Sequence, residues 1–129
     1  MSVQENKEFI RAYLAAISGT SKTADLIDKY VEEQSLKDHA AFFEAAFPLY
    51  QVIPLDMIAE GDQVAVKARF IGTHQGELNG IPATRRTVDM PFHITYRVQN
   101  GKIVEHWMVT DTMELLRQIG VVPEPGAAD

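Results

Sequence analysis

Asn100-Gly101 is the pair of residues that most restricts what this chain can become. Both tolerate the positive φ angles that a tight two-residue turn demands, and the pair lies between two alternating apolar runs. In the first of these, Met90, Phe92, Ile94, Tyr96 and Val98 alternate with Asp89, His93, Thr95 and Arg97. The second strand of the hairpin carries His106 and Trp107, and Asp111 stands where it gives way to a short terminal helix ended by Gly120. An ionisable cluster, His106 to Asp111, therefore occupies the last strand and its exit.

Upstream the apolar period is helical. Phe9, Ile10, Tyr13, Leu14 and Ile17 predict a helix from Gln4 to Ser18 with Gly19 as its stop. A second helix is expected from Lys22 to Val31, capped by Thr20 or Ser21. A third begins at a capping box, Ser35 with Asp38, and runs to Phe47, where Pro48 ends it. Its stripe is Leu36, Ala40, Phe43 and Phe47, with His39 at the border; a lone histidine there is more often packed than functional. After Pro48 the period becomes two, with strands expected at Val52–Ala59, Gln63–Thr73 and Arg86–Val98 and a turn at Gly61-Asp62. The pattern is α+β: three N-terminal helices packed on a curved antiparallel sheet and a short C-terminal helix, with a pocket at the sheet's open mouth.

At 129 residues this is one domain, expected over 1–120 with a flexible tail at 121–129. No apolar run approaches the ~20 residues that span a membrane, and the N-terminus has no secretory or transit pattern, so a soluble, cytoplasmic protein is expected. The absence of cysteine removes thiolate nucleophiles and thiolate metal sites, and a net charge of −6 disfavours nucleic acid as a partner. His39, His74, His93 and His106 lie on separate elements without HxH or HxxxH spacing, so no metal is expected.

Several spaced segments together carry a resemblance. Gly61-Asp62-Gln63-Val64-Ala65-Val66, Gly72-Thr73-His74-Gln75-Gly76-Glu77, Gly80-Ile81-Pro82, and Gly101-Lys102-Ile103-Val104-Glu105-His106-Trp107 with Asp111 resemble the SnoaL-like polyketide cyclases, or ester cyclases. The resemblance implies the cone-shaped barrel of the NTF2-like superfamily, a homodimer or homotetramer, and intramolecular aldol closure of a small apolar, carbonyl-rich substrate without cofactor or metal. It implies that Asp111 is the acid/base residue, helped by pocket histidines. One loop departs from the family pattern: Ile81-Pro82-Ala83-Thr84-Arg85 stands where Ile-Pro-Pro-Thr-Gly is common.

Such a closure needs a base at carbon flanked by carbonyls and a donor for the developing oxyanion, and Asp111 with His106 is a minimal set. Asp111-Thr112-Met113-Glu114 is also a capping-box pattern, so Asp111 can equally be a helix cap. His106 and Asp111 have opposite strand parity, whereas Trp107 and Asp111 share one. His74, His39 and Trp107 are candidate substrate contacts; His74 is as readily a loop brace and Trp107 as readily a packing residue. The alternative is a binding module that shelters an apolar molecule without chemistry. An epoxide hydrolase would need an Arg-x-Asp pair, but Arg97 is followed by Val98-Gln99; for a ketosteroid isomerase, no spacing joins Tyr13, Tyr50 and Asp56.

Overall fold

Ser2 and Glu5 start the first helix by reciprocal capping. The Ser2 hydroxyl accepts from the Glu5 N–H and the Glu5 carboxylate from the Ser2 N–H, each at 3.0 Å. In the computed structural model, which describes residues 2–122, α1 runs over Val3–Ile17 and buries Ile10, Tyr13, Leu14 and Ile17. The second helix, α2 (Ala24–Asp28), is only five residues long and is capped by Thr23. The longer helix expected from Lys22 does not form, because Lys22 is pulled inward: its ammonium donates to the carbonyls of Thr20 (2.7 Å) and Tyr50 (2.8 Å).

Helix α3 covers Gln34–Ala46, and its N-cap is Glu33, without a side-chain cap bond. The box expected from Ser35 and Asp38 is absent; Ser35 lies inside the helix and Asp38 accepts from Gln34 Nε2 at 2.8 Å. The reason is tertiary. The Glu32 and Glu33 N–H groups both donate to the Ile103 carbonyl, at 2.8 and 3.3 Å, so the chain is tied to the last strand until the helix starts.

Four strands, β1 (Gln51–Glu60), β2 (Gln63–Thr73), β3 (Thr87–Gln99) and β4 (Lys102–Val109), pair antiparallel in chain order. The β3–β4 turn is as expected, with φ of 53° at Asn100 and 72° at Gly101. Along β3 the residues from Val88 to Val98 with the apolar parity are buried, and those between are largely open to solvent. The register of β3 with β4 slips between Arg97 and Val98, whose partners are Glu105 and Ile103, leaving Val104 as a bulge. Ile103 and His106 would point to opposite faces of a regular strand; the extra residue turns both inward.

α1 packs on β1 and β2, and α4 (Thr112–Gln118) on β3. Between β2 and β3, the connection presses on the end of α3, where Gly76 N–H donates to the Ala46 carbonyl at 3.1 Å. A Cβ at Gly76 would lie 2.1 Å from the Ala45 carbonyl oxygen, so only glycine fits. Among the described residues no helix is long and apolar enough to cross a membrane. Of the expected tail at 121–129, residues 123–129 lie outside the described residues.

Candidate active site

Helices α1, α3 and α4 do not fill the concave face of the sheet. They leave a cavity with a free volume of about 70 Å³, several times the ~10–15 Å³ that admits one water. Its wall is aliphatic and aromatic, with Leu36, Ala40 and Phe43 from α3 and Met90, Phe92 and Ile94 from β3. The polar groups in the lining are His39, Tyr13, Tyr50, Tyr96 and Thr110. Exposed Thr110 and half-buried Leu115, just beyond β4 and on α4, mark the mouth.

His39 reaches the wall because it borders the apolar stripe of α3, and its ring packs on Phe43 with centroids 4.7 Å apart. Among the described residues no group bonds its ring nitrogens. Burial, and then the nearby His106, lower its pKa to about 4, so near neutral pH it is an uncharged imidazole able to accept or donate one proton. His106 stands directly behind it, ring centroids 6.3 Å apart, and is the cross-strand partner of Tyr96. Its Nδ1 is paired with the Glu33 carboxylate, which fixes the ring.

The remaining sequence candidates stand elsewhere. Asp111 is exposed and caps α4, its carboxylate accepting from the Glu114 N–H at 3.0 Å, next to Thr110 at the mouth. Trp107 is on the convex face, 46% exposed, with the Arg97 guanidinium 5.3 Å from its ring centroid. His93 is also exposed on that face, opposite Lys67 and Val109. His74 is fully buried under the β2–β3 connection, 5.3 Å from the Phe47 ring. The Thr84 N–H donates to His74 Nδ1 at 3.2 Å, which makes Nδ1 the acceptor and puts the proton of the neutral ring on Nε2. Nearby, Arg85, where the family pattern has glycine, is held at φ 65° with its N–H on the His74 carbonyl at 2.9 Å.

Sequence reasoning passed over Glu33, 73 residues from the histidine it holds, and no local signal marks it. Nor did it join Tyr13, Tyr50 and Tyr96, which the fold brings into one wall; Asp56 stays exposed outside it. The signal was a hydroxyl at each of two apolar-parity positions, Tyr13 and Tyr96. Among the described residues no three His, Asp or Glu side chains are grouped so as to hold a metal ion.

Comparison with known proteins agrees with this geometry. The model of the SnoaL-like polyketide cyclase family matches residues 10–119. Among solved structures, AclR from Streptomyces galilaeus, for which a hydroxylase role is proposed, superposes with a TM-score of 0.80 at 27% identity, covering 95% of this chain and 85% of that one. IdmH from Streptomyces antibioticus, for which a polyketide cyclase role is proposed, gives 0.73 at 24% identity over 90% and 99% of the two chains. TsrD from Streptomyces laurentii gives 0.78 at 20% identity over 95% and 99%. No curated protein matches the sequence. A four-stranded curved sheet backed by helices, a cavity on its concave face, and a family match spanning residues 10–119 lead to one statement: the chain belongs to the SnoaL-like polyketide cyclase family, on the NTF2-like fold.

Proposed function

We propose that this protein is a cyclase-like enzyme that carries out aldol-type acid/base chemistry, without a cofactor, on a small apolar, carbonyl-rich substrate. The observation behind this is an uncharged His39 imidazole, with unbonded nitrogens, in the wall of an apolar cavity that also holds phenol donors. A basic ring nitrogen of His39 takes a proton from carbon flanked by carbonyls, and the electron pair moves onto the carbonyl oxygen as an enolate. The enolate carbon then bonds to a second carbonyl carbon, whose π electrons move to its oxygen, and that alkoxide takes the proton back from His39. The apolar wall excludes water and strengthens each hydrogen bond to the developing charge.

In this reading His106 and Glu33 are positioning residues. Together they hold an imidazole beside His39 that adds to burial in lowering its pKa, which keeps His39 unprotonated near neutral pH and makes it a weaker base. Asp111 shapes the mouth by capping α4. The binding-module alternative retains one supporting observation, that no carboxylate lines the cavity among the described residues.

Deuterium exchange at the activated methylene of 1-phenylbutane-1,3-dione, followed by NMR in D2O, separates the readings. The proposal expects exchange above the buffer rate, most of it lost in His39→Gln and retained in Asp111→Asn. Loss in Asp111→Asn with His39→Gln unaffected would transfer the base role to Asp111. Equal binding in all three proteins with no exchange would leave a binding module.

A further inference from the structure

We infer that Tyr13, Tyr50 and Tyr96 form an oxygen-binding cluster, a set of neutral hydrogen-bond donors that fixes a carbonyl or enolate oxygen of the ligand. This rests on the proposal that the cavity is the site of ligand binding. The three come from α1, the start of β1 and β3, and are 2%, 5% and 3% exposed, yet all line the one cavity. The Tyr13 and Tyr96 rings meet edge to face at 5.9 Å, Tyr13 acts electrostatically on Tyr50 and Tyr96, and Tyr50 acts on Tyr96.

Among the described residues their hydroxyls have no hydrogen-bond partner, and they are not sealed from the cavity. Hydroxyls that face the cavity and are not used by the protein are free to donate to any ligand that brings an oxygen acceptor to them. Burial raises all three phenol pKa values, and the groups remain protonated donors through the working pH range.

Lys22 packs beside the cluster. Its ammonium lies 4.0 Å from the Tyr50 ring centroid, with a side chain wholly removed from solvent. It cannot reach the ligand, since it already donates to Thr20 and Tyr50 carbonyls and lies 3.1 Å from Glu44 Oε1, an ion pair off the line of a good hydrogen bond. Glu44 offsets this cation and, after burial and Tyr13, raises the Tyr50 pKa, so Lys22 packs on the ring and the phenol stays a neutral donor. The cluster thus prefers ligands with an oxygen acceptor over matched hydrocarbons, and gains as charge moves onto that oxygen.

The test compares acetophenone with ethylbenzene, the hydrocarbon with the same carbon skeleton and no carbonyl oxygen, by NMR titration of the wild-type chain and of Tyr13→Phe, Tyr50→Phe and Tyr96→Phe. Phenylalanine keeps the ring, and thermal melts establish that each variant is folded. Tighter binding of the ketone by the wild type is expected, with each substitution weakening ketone binding about 2- to 10-fold and leaving ethylbenzene unchanged. The infrared carbonyl stretch of bound [13C]acetophenone should also move toward its free position in each variant, a shift that a purely structural tyrosine would not give. Equal binding of the two ligands by the wild type, or a ketone preference and carbonyl stretch unchanged in all three variants, overturns the inference. A tyrosine-dependent ketone preference without methylene exchange leaves the cluster standing and removes the catalytic reading.

Discussion

Strand β4 divides one short sequence between two environments. On the inner side, His106 and Met108 stand among aromatic rings, and His106 is held by a carboxylate from before α3. On the outer side, Trp107 and Val109 are 46% and 74% exposed. Chemically similar residues one position apart thus have different consequences, because a strand sends neighbours to opposite faces. The stretch from Glu105 to Asp111 is therefore not one site: Met108 and Thr110 line the cavity, His106 stands behind its wall, and Glu105, Trp107, Val109 and Asp111 are exposed.

The contrast can be broken first by truncation. Ile103 is fully buried and its backbone ties α2 and α3 to the sheet, so Ile103→Ala should cost about 3 kcal/mol or more in denaturant unfolding. Val109→Ala on the outer face should stay within about 0.5 kcal/mol. Equal losses would mean that the outer face is covered in solution.

A second prediction uses pH. The folded chain holds His39 uncharged down to about pH 4, whereas the unfolded chain takes up that proton near its ordinary 6.5. The unfolded state then binds more protons between those values, so stability is full above about pH 6.5 and falls as pH drops toward 4. The loss is at most about 3 kcal/mol, reduced by the ring's access to solvent in the cavity. Thermal melts of His39→Gln should show a flatter slope in that window alone. Below it Glu114, whose pKa is brought down to about 2 by Arg117 and then Gln118, titrates in both proteins.

The smallest effect sharpens the comparison at the strand's exit. Asp111→Ala removes the α4 cap and should lower stability by about 1 kcal/mol, with Asp111→Ser restoring most of it. A stability gain in Asp111→Ala would indicate a strained carboxylate serving another purpose.

Local sequence was sufficient wherever the signal is periodic or is a turn. The helix over Val3–Ile17, the β2 boundaries at Gln63 and Thr73 and the Asn100-Gly101 turn follow from apolar spacing and from φ preferences, which act within a few residues. It misled at α3, where Ser35 and Asp38 have capping spacing but the Ile103 carbonyl ties down the preceding chain. Parity separated His106 from Trp107, while β4 ends at Val109 and leaves Asp111 outside the strand, and the bulge at Val104 was not visible in advance.

What the sequence determined by itself was the set of elements and the face each residue presents, because both follow from short-range backbone geometry and from the removal of apolar side chains from water. Only the tertiary structure decided that Glu33 meets His106, that His39 becomes an uncharged wall residue, and that three tyrosines from distant parts of the chain share one cavity. Those contacts join positions tens of residues apart, and their energies depend on desolvation, which no local pattern encodes.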